Sequence, residues 1–382
     1  MSSFSIILFW SLVTTVAYTY VLYPLIIALL ARRFSKPIHR APHNQPISII
    51  IAAYNEEAHL ERRIAELLHL CEISNLKSEI LIASDGSTDR TNAIALSFKD
   101  QNVHLIPLPT NQGKSAALSQ AALRARHDIL LFADARQRWD EDTIPTLLEN
   151  FADDEVGAVS GDLVLETQSG TVAGVGLYWK FEKWLRRRES DLYSMVSVSG
   201  SIAAVRRELF IPIPKGCLLD DVYWPLNVAM QNYRVIHDDR AKAYDRLPEK
   251  TRDEFKRKVR TLSGNFQLLK LLPRSLSPLH NPVWIQFLSH KILRLVVPWA
   301  LLALLALSCI LEHPIYRLAF FAQLAFYVIA IVGLSRFAST RIKLASAAAS
   351  FLVLNTAAAV ALYTYLTGRA TRSWKKVTYT AS

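Results

Sequence analysis

The sequence predicts an α/β domain built on a doubly wound, mostly parallel sheet and flanked by transmembrane helices. Three observations lead there. Between residues 47 and 133, short apolar runs alternate with segments of helical periodicity, the pattern of βαβ units around a parallel sheet. Residues 4–31 carry no charged side chain, a span long enough to cross a bilayer as a helix. Residues 295–311, 318–334 and 344–366 are apolar again, while the stretch between has ordinary globular composition.

The N-terminal segment is too long for the apolar part of a signal peptide. It has no basic residues ahead of it and no small-residue cleavage pattern, so it is expected to remain as a membrane helix over 1–31. Arg32, Arg33, Lys36 and Arg40 follow in a basic linker, 32–45. Basic residues stay on the cytoplasmic side, which places the soluble domain, 46–252, in the cytoplasm of a cell with a bacterial-type inner membrane. Next come interfacial helices over 253–290, about three membrane helices over 291–368, and a basic tail over 369–382. Three spans after a cytoplasmic domain would leave Arg369, Arg372, Lys375 and Lys376 outside, against the charge rule.

The formal net charge of +11 raises the question of nucleic acid. Much of the excess flanks the apolar segments, where anionic lipid head groups account for it, and a nucleic-acid partner is not expected. Cys71, Cys217 and Cys309 have no paired spacing, which fits a reducing compartment and argues against a zinc site.

Within the soluble domain, ISIIIAA (47–53) reads as a strand buried on both faces. A helical face follows at Leu60, Ile64, Leu67 and Leu68. The second strand, ILIA (80–83), ends in SDGS, with Ser87 or Thr88 expected to cap the next helix. A third strand (103–106), an alanine-rich helix (114–126) and a fourth strand (129–133) complete the series. Ligands of such sheets sit at the carboxyl ends of the strands. Tyr54-Asn55-Glu56, Asp85 and Asp134 each stand at such an end, although any one alone could simply cap a helix. The segment NQGKS (111–115) ends like a phosphate-binding P-loop, but Leu108 stands where that loop needs its first glycine. Lys114 at a helix start still suits a phosphate.

These residues also occur as ordered motifs: AAYNEE (52–57), SDGSTD (84–89), NQGKSAAL (111–118), FADAR (132–136), LLDD (218–221) and RKVRTLSGN (257–265). Over about residues 46–272 the chain thereby resembles membrane-integrated family 2 glycosyltransferases of the cellulose, chitin-oligosaccharide and hyaluronan synthase type. The resemblance implies a GT-A fold and an inverting transfer from a nucleotide-sugar, UDP- or GDP-linked, to a glycan or lipid-linked glycan in cell-surface polysaccharide synthesis. Export-complex proteins would be further partners.

The resemblance also implies roles for particular residues. Tyr54, Glu56, Asp85 and Lys114 match nucleotide-site positions, and Asp134 matches the first aspartate of the D-x-D motif that meets ribose, diphosphate and metal. Asp221 matches the last aspartate of T-E-D and becomes the base, with Asp220 beside it. Ser199, Gly200 and Ser201 border the acceptor, although a tight hairpin fits those residues equally well. Arg260 matches the arginine of Q-x-x-R-W. Arg257 and Thr261 replace its glutamine and tryptophan, which argues against processive synthesis.

The family's divalent ion, Mg²⁺ or Mn²⁺, meets a departure here. Arg136 replaces the second carboxylate of D-x-D, leaving Asp134 as the motif's metal ligand. A guanidinium cannot ligate a metal, but it grips phosphate through two parallel hydrogen bonds. Arg136 is therefore expected to share the metal's neutralising work, or else to pair with a carboxylate such as Asp140 or Glu141. Asp238-Asp239 reads as a solvated turn. The apolar stripe Phe255, Val259, Leu262, Phe266 and Leu269 reads either as an interfacial helix or as packing beneath the domain. Trp179, Trp184 and Trp224 are expected in the core. Two other readings of the chain remain: a polyprenyl-phosphate glycosyltransferase, and an inactive scaffold homologue in a secretion complex.

Overall fold

The computed structural model describes residues 3–166, 173–246, 251–335 and 343–370. Arg372, Lys375 and Lys376 of the basic tail lie outside them.

Isoleucines and valines without intervening charge make the parallel half of the sheet. Strand β1 (Ile47–Ala53) is buried along its whole length. It pairs in parallel with β2 (Ser78–Asp85) on one side and β4 (Ile129–Ala133) on the other, and β3 (Val103–Leu108) extends the sheet beyond β2. Helices α1 (Ser3–Phe34), α2 (Leu60–Ile73), α3 (Thr91–Ser97) and α4 (Lys114–Ala122) belong to this N-terminal part.

Past β4 the sheet becomes mixed. It continues through β5 (Arg138–Trp139), α5 (Thr143–Leu148), β6 (Val156–Glu166), α6 (Ala173–Leu192), β7 (Ile202–Arg206), α7 (Asp220–Met230) and β8 (Arg234–Arg246). The strand order is β3-β2-β1-β4-β7-β6-β8-β5. Strand β7 runs antiparallel to both β4 and β6, while β6 and β8 are parallel. The expected mostly parallel sheet is thus a mixed one, parallel through its first half and again between β6 and β8. Ile202 enters opposite Ala133, the last residue of β4. No helix carries the chain back across the sheet between α6 and β7, so β7 starts at the carboxyl edge.

Trp224 of α7 is the largest fully buried side chain. Its ring lies 5.4 Å from that of Phe132 on β4 and 6.2 Å from that of Phe210. This aromatic contact fixes the start of α7 against the end of β4.

Helices α8 (Thr251–Leu271), α9 (Trp284–Ile310), α10 (Pro314–Gly333) and α11 (Lys343–Leu366) follow. Among the described residues, four helices (α1, α9, α10 and α11) are long and apolar enough to cross a membrane. The stripe on α8 meets α11. Val259, with Phe255, Leu262 and Phe266 beside it, packs on Ala357 and Ala361 of α11. Ser263 Oγ donates to the Ala361 carbonyl at 3.1 Å. Small residues on α11 allow that close approach.

Two local expectations are corrected. Neither Ser87 nor Thr88 caps α3. Instead Asp89 accepts from the Thr91 amide at 2.9 Å, since α3 starts only at Thr91. Asp238 is not in a solvated turn; it is buried in β8 and bonded to Arg240 and, at 3.0 Å, to Asn150.

Candidate active site

The loop after β1 is fixed by its own polar side chains. Asn55 adopts the left-handed backbone (φ 55°), a conformation its short amide tolerates. Its Oδ1 accepts from the Thr88 amide at 2.8 Å, and its own amide donates to Ser87 at 3.2 Å. Glu56 is buried, its amide bonded to Thr91 at 2.9 Å. Tyr54 is half-buried beside them. The tips of β1 and β2 are thereby tied into one rim.

Asp85 lies beneath this rim, fully buried. Its two carboxylate oxygens accept from the amides of Gln112 and Gly113, at 2.7 and 2.8 Å. Asp85 therefore holds the loop that leads into α4. Gly86 (φ 69°) passes so close to that loop that a Cβ would lie 2.6 Å from the Asn111 nitrogen. Only glycine meets both conditions. The SDG segment is thus a shelf for the loop that delivers Lys114.

Lys114, the first residue of α4, reaches across to Asp134 after β4, with Nζ donating to Oδ1 at 2.7 Å. Burial works against the ammonium, but Asp134, Asp220 and Asp221 outweigh it and hold Lys114 above the usual lysine range. Asp220 and Asp221 form the first turn of α7. Burial pushes the Asp220 carboxyl up and Lys114 opposes it. Asp221 and Asp134 add to the rise, and the result is about 6. The Asp221 carbonyl accepts from the Val198 amide at 2.9 Å, which draws the 199–201 turn over the helix start. A Cβ on Gly200 would lie 3.5 Å from Asp221 Cβ, 3.7 Å from an Asp220 carboxylate oxygen and 3.8 Å from Lys114 Nζ. The Ser199 amide donates to Ser160 Oγ at 2.9 Å, and the Ser199 and Ser201 hydroxyls are 3.4 Å apart. The segment is a backbone wall of the crevice, not a hairpin between strands.

Arg136 follows Asp134 at the same strand tip and pairs with Asp245 of β8, at 3.8 Å, not with Asp140 or Glu141. Gln137 also donates to Asp245, at 2.9 Å, and Arg62 holds the Arg136 carbonyl at 2.9 Å. The expected residues separate at α8. The Arg260 charge acts on Asp220, whereas exposed Arg257 pairs with Glu254 at 2.8 Å. Sequence reasoning missed Ser160, Gln137 and Asp245. The serine lies inside a buried strand, and Asp245 reaches Arg136 only by sheet pairing.

For a divalent ion, the donor set is sparse. No group of three or more His, Cys, Asp or Glu side chains converges on one point among the described residues. Asp134 already holds an ammonium, and Arg136 occupies the position of a second ligand. These residues do not form a protein cage for a metal; Asp134 alone could share one with the phosphates of a donor.

The family description "Glycosyl transferase family 2" matches residues 48–213. The poly-beta-1,6-N-acetyl-D-glucosamine synthase of Staphylococcus aureus (strain COL) is 24% identical over 241 residues, 61% of this chain and 58% of the relative. The synthase of the same name from Staphylococcus epidermidis is 24% identical over 238 residues, 58% of this chain and 55% of the relative. The chain thus spans a little over half the length of these curated relatives. Among solved structures, the mannosyltransferase PcManGT from Pyrobaculum calidifontis, in complex with GDP-Man and Mn²⁺, superposes with a TM-score of 0.70. That match has 22% identity and covers 94% of this chain and 99% of that one, so the fold extends to the helices outside the sheet. Residues 48–213 are thus similar in sequence to glycosyl transferase family 2, and the chain shares the fold of that mannosyltransferase.

Proposed function

We propose that this protein transfers a sugar, with inversion, from a UDP- or GDP-linked donor to a glycan or lipid-linked glycan acceptor in cell-surface polysaccharide synthesis. The reaction would take place on the cytoplasmic face of the inner membrane, with export proteins as further partners. One observation carries the reading. Lys114, Asp134, Asp220, Asp221 and Gly200 come from four separate segments and meet at the carboxyl ends of the parallel strands, where such sheets bind ligands.

Inverting transfer is an in-line displacement. The acceptor hydroxyl oxygen bonds to the anomeric carbon as its proton passes to Asp221. The bond from sugar to phosphate breaks, and its electron pair leaves on the nucleoside diphosphate. Asp221 suits the base because it is half-buried at a helix start, whereas Asp220 behind it is buried and resists ionisation. The leaving diphosphate needs cations. Lys114 supplies one at the strand tips. Arg136 is positioned for a second once it turns from Asp245, and the Arg260 charge already reaches Asp220. A divalent ion, when bound through the donor's phosphates and Asp134, would add Lewis-acid stabilisation of the same charge.

The test is a donor screen on membranes with mass analysis of product, run on wild type and Asp221→Asn. Sugar transfer lost in Asp221→Asn, with nucleotide still bound, supports the reading. Nucleotide release at equal rates in both proteins removes Asp221 as the base.

A further inference from the structure

At the junction between the domain and helices α1 and α9 lies a polar cluster that the transfer mechanism does not use. Helix α6 carries Glu182, Arg186 and Glu189, which share one face because residues three and four apart align. Helix α9 brings His290, Lys291 and Arg294 against it. Glu182 contacts His290 Nε2 at 2.9 Å and accepts from Arg294. Glu189 contacts His290 Nδ1 at 2.9 Å and accepts from the Tyr23 hydroxyl of α1 at 2.5 Å. Glu182 and one oxygen of Glu189 are thus engaged by groups other than Arg186 and Lys291, while Glu189 Oε2 is buried without a hydrogen-bond partner.

Among the described residues, Arg186 and Lys291 make no hydrogen bond or ion pair, and the Arg186 Nε is buried without a partner. Arg186, Lys291 and Arg294 stand among Glu182, Glu189 and Asp221. Lys291 feels the charges of Arg186 and Glu182, then those of Asp221 in the candidate active site and of Arg294. The pair therefore lies on the side of the crevice that meets α9. Lys291 and Arg294 directly precede the apolar run 295–311 of α9. Basic residues at the end of an apolar helix meet the level of the lipid phosphates.

We propose that Arg186 and Lys291 form a phosphate subsite, which grips the phosphate of a lipid-linked sugar acceptor and presents its hydroxyl to Asp221. This rests on the sugar-transfer reading and narrows its acceptor. A soluble glycan offers no group that needs two cations, whereas a phosphate takes a guanidinium and an ammonium together. The bonds made and broken are those of the displacement above, and the lipid phosphate itself is unchanged.

The test is binding to the full-length protein in detergent, read by native mass spectrometry. The probes are a long-chain polyprenyl monophosphate, the parent polyprenol, phosphatidylglycerol and inorganic phosphate. Expected is polyprenyl phosphate binding at least about tenfold tighter than the other three. Arg186→Gln or Lys291→Gln should weaken it by about tenfold or more, and Arg186→Lys should restore most of the loss. Equal binding of the polyprenol, or unchanged affinity in both glutamine variants, overturns the subsite. Inorganic phosphate binding as tightly as the lipid overturns the lipid assignment, and equal binding of phosphatidylglycerol reduces the site to a general lipid anchor. Sugar transfer in the donor screen on membranes is measured in parallel. Its absence in wild type with every donor counts against sugar transfer and leaves the binding result to judge the subsite alone.

Discussion

The two halves of the crevice position their charges by different means. On the donor side, the parallel strands β1, β2 and β4 end together, and backbone register delivers Glu56, Asp85 and Asp134 to one edge. The contacts there are short and local in the sheet: Asp85 to the Gln112–Gly113 loop, Lys114 to Asp134. On the proposed acceptor side, antiparallel β7 and helices α6, α7 and α8 bring in Gly200, Asp221, Arg186 and Arg260, and α6 and α8 lean on α1 and α11. A sheet edge fixes its charges through hydrogen bonds every residue. A helix face fixes them only as firmly as the helix behind it is packed. The donor side should therefore tolerate damage to the membrane helices, and the acceptor side should not.

The largest expected effect is chemical. Asp221→Asn removes the proposed base and should lower the transfer rate by roughly 10²–10⁴-fold with donor binding retained; loss of donor binding in this variant would show that the halves are not separable. Next is the aromatic contact between the halves. Trp224→Ala empties the space between Phe132 and Phe210 and should cost about 3–5 kcal/mol, read as a fall in the denaturant midpoint at unchanged slope.

Asp220 probes the acceptor side through pH. Burial pushes its carboxyl up to about 6 in the fold, from the ordinary aspartate value of 3.8. Between those values the folded state holds more protons than the unfolded state, so stability falls as pH rises through that window. Asp220→Asn should remove that slope and stabilise the protein at pH 7 by up to about 3 kcal/mol. Below pH 4, where both states are protonated, the gain should vanish.

Gly86→Ala strains the donor shelf and should destabilise by about 1–3 kcal/mol, with a raised KM for the donor and an unchanged KM for the acceptor. The smallest and most diagnostic effect is at Arg136. Wild type should keep part of its transfer activity in chelator, and Arg136→Ala should lose roughly tenfold more of it. Complete loss in wild type, with the variant behaving the same, would end the idea that Arg136 shares the work of a metal.

Much of the donor side was legible in the sequence for a physical reason. A strand buried on both faces must be continuously apolar, so the first polar residue after it marks the strand tip. That rule located Asp85 and Asp134, and the motif order located Lys114 and Asp221. It could not say that Asp85 spends both oxygens on a loop, because a carboxylate that binds backbone amides has the same spacing as one that binds a ligand. The partner of Arg136 was also out of reach, since Asp245 lies 109 positions later and arrives by the pairing of β6 with β8. A mostly parallel sheet was legible, but not which strand would run against it: the direction of β7 depends on where the preceding loop returns the chain.

By itself, then, the sequence determined four apolar spans, a sheet with a polar carboxyl edge and the residue types able to meet a nucleotide-sugar. These are properties of composition and period, which act locally. Only the tertiary structure decided which charges are already neutralised. Asp238 is held by Arg240 and Asn150, Glu182 and Glu189 by His290, Arg294 and Tyr23, while Arg186 and Lys291 make no such bond among the described residues. Charge pairing depends on distances between segments far apart in the chain, and those distances exist only once the helices have packed.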